Sequence, residues 1–361
     1  MTLRLLHLVG SPTDDFYCDL SKLYAEGCLE ALGDLAGYDF TIAYITPDGC
    51  WRFPLSLQPV DIAAAMPMSC AEALQLLSVQ SIDAALPQMF CLAGMTRYRM
   101  LLELLQIPCI GNGAFQMAIA ADKAKTRAIV AAAGVAVPTG ELLRPGEHPS
   151  ISPVAVVKPN SADNSDGVTL VRQQKDYAAA LETAFSYADE VIVEEFIELG
   201  REVRCGIVVS DGELICLPLE EYAVDAKLRP IREKVDKLKR NEENALIMTA
   251  KEKTQSWIVD LDDAVVEHVW QAAKKCHRAL GCQQYSLFDF RIDPEGRPWF
   301  IEAGLYCSFS PQSVLVAMMA ANNVPLAHFF ESAVKQVLAS HSDKETQRLK
   351  IDGHPSAVLS G

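Results

Sequence analysis

The run LFDFRIDPEGRPWFIEA, residues 287–303, is typical of two short strands joined by a turn. Apolar and polar residues alternate in both arms, and the turn residues Pro, Glu and Gly occupy 294–296. A hairpin centred on the last two of these places Asp289 directly opposite Glu302, on one face of the sheet. Facing Cβ atoms lie about 4.5–5.5 Å apart, where two like charges are destabilising. The hairpin therefore predicts a need for positive charge at this pair.

Two explanations satisfy that need. A divalent cation removes the repulsion and gains two hard oxygen ligands, which suits Mg²⁺ held against nucleotide phosphates. Alternatively, the pair is exposed to solvent, or it is neutralised by Arg291, which the alternation puts on the same face. The hairpin alone leaves both explanations open.

A second candidate element is Lys158, which closes the apolar run 153–157. A lysine at the end of a buried strand is costly unless an anion meets it. The segment PNSADNSDG follows at 159–167, and its small polar residues and Gly167 allow backbone N–H groups to point at phosphate. An ordinary turn after a strand-end lysine is the alternative.

Further acidic residues follow along the chain. The strand-like VIVEEF carries Glu194 and Glu195, and Glu202 comes shortly after Gly200. Such a segment can offer backbone groups to an adenine and a carboxylate to a ribose, although solvated acids explain the same residues.

Composition limits the class of protein. Half of the 361 residues are hydrophobic and 22% are charged, which fits two or three domains that share a cleft. A net charge of −15 argues against nucleic acid as a partner. No apolar run reaches the roughly 20 residues that span a bilayer. The eleven cysteines are scattered and form no C-x-x-C pair, so we expect reduced thiols and a cytoplasmic protein.

The order of predicted elements divides the chain. Strands and helices alternate up to residue 110, which predicts a parallel sheet. An Ala-rich helix over 114–133 opens a small α+β module, and a third region begins near residue 200 with antiparallel strands. Its stretch 223–253 is dense in charge and is predicted to be either a functional lid or a disordered, solvated loop. We therefore predict an α/β protein with domains at 1–113, 114–199 and 200–340, and a polar tail at 341–361.

Taken in order, these pieces resemble the ATP-grasp ligases, and specifically the D-alanine–D-alanine ligases, over roughly residues 3–340. The resemblance rests on ADK…T at 121–126, VVKP…NSDGV at 156–168, VEEF…GRE at 193–202, FDF…I at 288–292 and IEA…S at 301–313. It implies an ATP-grasp fold: a parallel α/β N-terminal domain, a small α+β lid domain and a C-terminal α+β domain with an antiparallel sheet. It also implies ATP and Mg²⁺ as cofactors.

By position, the resemblance implies a nucleotide and metal site. Lys123 and Lys158 would contact the phosphates of ATP, and Asp289 and Glu302 would bind Mg²⁺. Glu194, Glu195 and Ile197 would line the adenine hinge, and Glu202 would hold the ribose.

For the substrates, the resemblance implies three further residues. Ser165 lies in the loop that closes on substrate and phosphates, and Ser313 meets the carboxylate of an amino-acid substrate. Asp19, assigned to the loop after the first strand, meets a substrate amine. Independently of the resemblance, we expect Lys234, in the charged segment 223–253, to reach phosphate or a substrate carboxylate if that segment is a lid.

Two departures from the family pattern concern the electrophile. Gly304 stands where the family has a metal-binding asparagine, and Leu287 stands where dipeptide ligases have an arginine that steadies the acyl phosphate. With these departures, the chain most resembles the mycosporine-glycine–amine ligases. The resemblance implies that ATP phosphorylates the ring oxygen of mycosporine-glycine, a cyclohexenone, and that serine or threonine then condenses with the ring.

Two alternatives stay open beside that expectation. One is a D-alanine–D-alanine ligase or another amino-acid ligase that acts through an acyl phosphate. The other is a nucleotide-binding protein without catalysis. We expect small-molecule substrates and neither nucleic acid nor membrane as partners, and we keep a homodimer as a hypothesis.

Overall fold

A computed structural model describes residues 2–162, 165–224, 238–240, 246–248 and 256–352. Within these ranges the strands form three main sheets, of four, six and four strands, and one two-stranded ribbon. Both parallel and antiparallel pairs occur, which confirms the predicted α/β class. Lys234 and most of the predicted lid lie outside the described residues. None of the helices in the described part is long and apolar enough to cross a membrane.

The first sheet lies in the N-terminal third of the chain and is largely parallel. Its central strand pairs in parallel with a strand on each side, and it is buried along most of its length, which explains the continuous run LLHLV at 5–9. The predicted strand at 108–110 is reduced to one bridge between Ala85 and Cys109. In chain order the elements are β1 (Leu3–Gly10), α1 (Asp15–Leu32), β2 (Tyr38–Ile45), β3 (Trp51–Arg52), α2 (Pro59–Ala64), α3 (Cys70–Val79), β4 (Ala84–Pro87), a π-helical turn (Gly94–Tyr98) and α4 (Arg99–Leu104).

The helix predicted over 114–133 is in fact two helices, α5 (Ala114–Ala121) and α6 (Lys123–Ala132). Asp122 breaks the chain between them, because its side chain caps α6 by accepting from the Lys125 backbone N–H at 2.9 Å. The Asn160 side chain donates to the same carboxylate at 3.1 Å. This cap makes Lys123 the first residue of α6 and ties it to the loop that follows residue 159.

The middle sheet is antiparallel and covered on one face by a helix. Its elements are β5 (Gly140–Leu143), β6 (Ala155–Pro159), β7 (Thr169–Val171), a 3₁₀ turn (Gln174–Asp176), α7 (Tyr177–Phe185) and β8 (Val191–Glu195). Ala155 and Val157 of β6 and Val193 of β8 pack into one core with α7. Because side chains alternate along a strand, Lys158 and Glu194 lie on the opposite face.

The third sheet has the strand order β14-β11-β9-β15-β16, with β10 paired to β9. Its strands are β9 (Arg201–Ser210), β10 (Glu213–Cys216), β11 (Glu220–Tyr222), β14 (Ser256–Ile258), β15 (Tyr285–Ile292) and β16 (Pro298–Gly304); β12 (Leu238–Arg240) pairs only with β13 (Leu246–Met248). The helices are α8 (Val265–Ala279), α9 (Val314–Ala321) and α10 (Leu326–Asp352). Since α10 runs to Asp352, the segment predicted as a tail from residue 341 begins inside a helix.

The faces of this sheet divide by the same period of two. Val203 and Cys205 of β9 and Phe288 and Phe290 of β15 join a core with α8. The residues between them, among which are Glu202, Arg204, Asp289 and Arg291, therefore point to the other face. That face carries the candidate site.

Candidate active site

A cleft is lined by residues of both the middle and the third sheet. Residues singled out in the sequence line it from five separate segments. They are Lys123, Lys158, Ser165, Glu194, Glu195, Ile197, Glu202, Asp289 and Glu302. The fold therefore brings together all eight residues predicted for the nucleotide and the metal, together with Ser165.

The predicted pairing of the hairpin is confirmed where it matters most. Asp289 and Glu302 are direct partners in the β15–β16 ladder. The register shifts immediately afterwards, because Phe290 pairs with Phe300 and leaves Ile301 as the extra residue of a bulge. Ile301 lines the cleft.

The cations that neutralise this pair differ from the expected one. Lys123 contacts Glu302 at 3.0 Å, and Arg204 donates to Asp289 at 2.7 Å. Arg291 instead donates to Glu202 at 3.2 Å. The alternative in which Arg291 neutralises the pair is therefore wrong, because β9 lies beside β15 and places Glu202 opposite Arg291 and Arg204 opposite Asp289.

The pair fits a magnesium ion bound together with a nucleotide. Within the described residues, no group of three or more His, Cys, Asp or Glu side chains converges on one point. Mg²⁺ is commonly held by one or two carboxylates, with phosphate and water oxygens completing its shell. Asp289 and Glu302 supply that number, and Gly304, on the same face of β16, supplies no side chain.

Lys158 and Glu194 form a buried ion pair at the middle sheet. The Lys158 Nζ lies 2.6 Å from Glu194 Oε1, and the two side chains are 7% and 5% exposed. The anion that meets this lysine is thus a carboxylate of the neighbouring strand. Glu194 Oε2 lies 3.7 Å from Arg127 Nε but has no hydrogen-bond donor among the described residues. A buried acceptor of this kind fits an amino group such as that of adenine.

The described residues of the loop after β6 contribute Ala162, Ser165 and Asp166 to the lining of the cleft. Ser165 has φ of +63° and Gly167 has φ of +71°. A Cβ on Gly167 would lie 2.8 Å from both the Pro159 ring and the Tyr187 ring, so the close turn requires glycine. Lys123 Nζ also bonds to the Ala162 carbonyl in this loop. A serine in the left-handed region occurs at ligand-binding loops more than elsewhere, which agrees with the predicted role of Ser165.

The adenine and ribose candidates surround the strand connection after β8. Glu195 is exposed, and the Ile197 carbonyl accepts from Arg291 at 3.1 Å. Arg291 also lies over the Phe196 ring at 5.1 Å. Glu202 is buried and held by the same arginine. Arg291 thus fixes the segment at which these three candidates meet.

Two substrate candidates lie outside the lining of this cleft. Asp19 is in the second turn of α1, so its assignment to the loop after β1 is wrong: the helix already begins at Asp15, because Asp14 caps it by accepting from Tyr17 N–H. Ser313 is buried at the start of α9 and lies 3.5 Å from Cys307 Sγ.

Arg204 and Tyr222 were not predicted. The guanidinium of Arg204 lies 5.1 Å from the Tyr222 ring centre. Burial works to lower the pKa of Arg204, but Asp289, Tyr222 and Glu220 together raise it well above its usual range. Alternation from Glu202 along β9 puts Arg204 on the site face, and this was the signal that could have revealed it.

An aromatic row lies at the α1 side of the molecule. Tyr24 packs edge-on to Phe90 at 5.1 Å, and Phe90 packs against Tyr306 at 5.3 Å. Burial raises the pKa of Tyr24, and the charge of Arg204 partly lowers it. The row ends at Tyr306, two residues beyond Gly304, the last residue of β16.

Comparison with known proteins gives one consistent group. The profile of the family described as "D-ala D-ala ligase C-terminus" matches residues 147–335. A D-alanine–D-alanine ligase of Trichlorobacter lovleyi is 31% identical over 256 residues, which cover 68% of this chain and 74% of the relative. That of Geobacter sulfurreducens is 29% identical over 311 residues, 82% and 84% of the two chains.

The fold has solved counterparts. The crystal structure of VanG D-Ala:D-Ser ligase from Enterococcus faecalis superposes with a TM-score of 0.77 at 21% identity, covering 93% of this chain and 100% of the other. The ATP-grasp fold predicted from the motifs is thereby confirmed.

Proposed function

This chain belongs to the D-Ala–D-Ala ligase family of ATP-grasp ligases, and we propose that it is an ADP-forming enzyme. In this proposal ATP phosphorylates an oxygen of one substrate, and the amine of an amino acid then displaces that phosphate. In every candidate reaction the nucleophile is the amine of an amino acid and ATP supplies the energy. The candidate reactions differ in the electrophile, which is the substrate whose oxygen is phosphorylated.

The observation that carries the proposal is the facing pair Asp289 and Glu302 in one cleft with Lys123 and Lys158. Phosphoryl transfer needs positioning and charge neutralisation more than covalent help from the protein. Two carboxylates for a divalent cation and two lysines for phosphate oxygens meet that need. A merely structural charge cluster does not require a bulge, a left-handed serine and a buried acceptor at the same cleft.

In this proposal the residues of the cleft hold and shield the nucleotide. Glu194 accepts from the adenine, Glu195 and Ile197 line its hinge, and Glu202 holds the ribose. MgATP, when bound, supplies the phosphoryl group and the positive charge that offsets its transfer. The loop that carries Ser165 covers the phosphates and excludes water, which would otherwise hydrolyse the activated substrate.

The relatives support an amino-acid electrophile better than a ring ketone. They are D-alanine–D-alanine ligases by name, and they give no support to the closer resemblance to mycosporine-glycine–amine ligases. The first candidate is therefore a ligase that activates the carboxylate of one amino acid as an acyl phosphate. Ser313, Asp19 and Lys234 stay proposals for contacts to its amino-acid substrates.

A second candidate, the cyclohexenone of mycosporine-glycine, is favoured by one local observation. Leu287 is apolar where it pairs with Gly304 on the site face, and the aromatic row of Tyr24, Phe90 and Tyr306 lies at the α1 side of the site. A conjugated ring spreads developing charge and packs well against apolar and aromatic side chains. An incoming serine or threonine would attack this electrophile.

The experiment that tests the function offers both electrophiles. The protein is incubated with ATP and Mg²⁺ and either D-alanine, D-alanine with D-serine, or mycosporine-glycine with serine. ADP is assayed and the products are weighed by mass spectrometry. A dipeptide mass supports the first candidate, and an imine of mycosporine-glycine supports the second. ADP formation that ignores every added substrate would reject a ligase.

A further inference from the structure

Arg204 lies beside the carboxylate pair but does not line the nucleotide cleft. Its Nε and Nη2 donate to the two oxygens of Asp289 at 2.7 and 3.3 Å, and its side chain is 16% exposed. Glu202 and Arg291, at one end of β9 and β15, line the cleft. Val208 and Tyr285, further along the same two strands, pack in one core with Leu5 of the first sheet. Arg204 therefore lies between the cleft and the first sheet.

The guanidinium has donors beyond those that Asp289 uses. Arginine carries five N–H donors in a planar fork that matches carboxylate and phosphate oxygens. The two bonds to Asp289 use one donor each. The guanidinium therefore has three further N–H groups besides the two that bond to Asp289. A phosphate oxygen is a strong acceptor for such groups.

The cluster gains positive charge when a divalent cation binds. Asp289 and Glu302 balance Arg204 and Lys123, so the four side chains together are neutral. A bound divalent cation adds two positive charges, before the phosphates that accompany it are counted. Counting Glu220, which faces Arg204 from β11 and bonds to the Tyr222 hydroxyl at 2.6 Å, still leaves one. A partly buried cluster of this charge favours phosphate oxygens beside it.

We propose that Arg204 binds the phosphoryl oxygens of the activated substrate, from the substrate side of the carboxylate pair. This inference rests on the proposed function, because the anion in question is the phosphate transferred from ATP. In the metal-free protein, Arg204 keeps Asp289 neutralised and in place. With the cation bound, its remaining donors hold the phosphorylated oxygen while the amine attacks.

An arginine side chain placed at residue 287 should be able to reach the phosphoryl oxygens that we assign to Arg204. Leu287 and Asp289 lie on one face of β15, and Arg204 is directly opposite Asp289 on β9. Leu287 is therefore a diagonal neighbour of Arg204, at about 7–8 Å between backbones, which an arginine side chain spans. Moving the arginine from 204 to 287 should keep the guanidinium near the same oxygens.

The test measures binding rather than turnover. The affinity for MgADP, and then the affinity of the MgADP-loaded protein for inorganic phosphate, are determined by calorimetry. The variants are Arg204→Met, Arg204→Lys, and Arg204→Met combined with Leu287→Arg. The matched control is Arg201→Met, since Arg201 is on the same strand and pairs with Glu221 and Asp263 at 2.6 and 2.8 Å.

Arg204→Met should weaken phosphate binding to the MgADP-loaded protein about tenfold or more, as expected for a lost charge-assisted contact, and by a larger factor than it changes MgADP binding. The phosphate affinity of Arg204→Lys should lie between those of Arg204→Met and the unmodified protein. The double variant should recover phosphate affinity, and Arg201→Met should have the phosphate affinity of the unmodified protein. Phosphate affinity that is equal in Arg204→Met and Arg201→Met would overturn the inference. An unmodified protein that binds no MgADP would overturn the proposed function, and this inference with it.

Discussion

At the scale of single residues, the buried pair of Lys158 and Glu194 combines a binding role with a structural one. Each group is almost fully buried, and each has the other as its nearest charge, at 2.6 Å. Removing one partner of such a pair leaves an uncompensated charge in a poorly solvated place. A substitution at Lys158 therefore affects the fold as well as the nucleotide.

Lys158→Met should lower the free energy of unfolding by about 3–5 kcal/mol, because it strands the carboxylate of Glu194. Lys158→Met with Glu194→Leu should recover much of that loss, since Glu194 is no longer buried without Lys158 and Arg127 keeps its hydrogen bond to the Pro138 carbonyl. Both variants should fail to bind MgADP. Urea unfolding and calorimetry measure the two effects. If the double variant is the less stable of the two, the ion pair is not the cause.

A second prediction at this scale concerns the metal. Glu302→Gln should raise the Mg²⁺ concentration needed for half-maximal MgADP binding by about tenfold or more, because one of two anionic ligands is lost. Glu295→Gln is the matched control, since Glu295 is an exposed acid in the turn of the same hairpin. Superimposable magnesium titrations for the two variants would contradict the assignment of Glu302.

At the scale of elements, the β15–β16 hairpin has room for a third ligand. A Cβ built on Gly304 finds its nearest atoms at 3.9 Å, which is ordinary contact distance. Gly304→Asn should therefore fold normally and place an amide oxygen near Glu302. We expect it to lower the Mg²⁺ concentration for half-maximal MgADP binding several-fold, as an added oxygen ligand should. An unchanged or raised midpoint would show that the metal lies elsewhere.

Two buried histidines, one in β1 and one in α8, make the stability of the fold depend on pH. His7 of β1 bonds to Gln88 at 3.0 Å, and His277 of α8 bonds to Ser286 at 2.8 Å. Burial lowers the pKa of each imidazole to about 4, from its ordinary value of 6.5. Between these pH values the unfolded chain binds more protons than the folded one, so stability is present above pH 6.5 and falls as the pH drops toward 4.

His277→Gln should remove part of this slope, about 1.4 kcal/mol per pH unit for one group. Urea unfolding at pH 6.5 and pH 5 gives the slope for each protein. An identical slope in the variant and the unmodified protein would mean that His277 titrates normally in the folded state.

The sequence predicts elements well where the pattern is local. Alternation in 287–303 places Asp289 opposite Glu302 because the two strands are joined by a short turn. Arg204 is 85 residues away from Asp289, and nothing in either segment says that β9 and β15 are neighbours. The break at Asp122 was missed for a related reason, since the cap depends partly on Asn160, which is distant in sequence.

At the scale of the whole molecule, the candidate site is an assembly of distant segments. Nine residues predicted from the motifs line one cleft. The order of the motifs along the sequence indicated the fold, and the fold determines where those residues lie. The substrate end was harder to predict, since Asp19 and Ser313 come from elements whose placement depends on packing between sheets. We propose that the domains at 1–113, 114–199 and 200–340 are the units that close around the substrates.

The central claim is that phosphate leaves with an oxygen of the electrophile. Isotope labelling tests it directly, with ¹⁸O in the carboxylate of D-alanine or in the ring carbonyl of mycosporine-glycine, each supplied with ATP, Mg²⁺ and an amino acid. Mass spectrometry of the released phosphate should find one ¹⁸O atom per product formed, for whichever electrophile the enzyme accepts. Unlabelled phosphate, released at a rate independent of both electrophiles, would contradict the account.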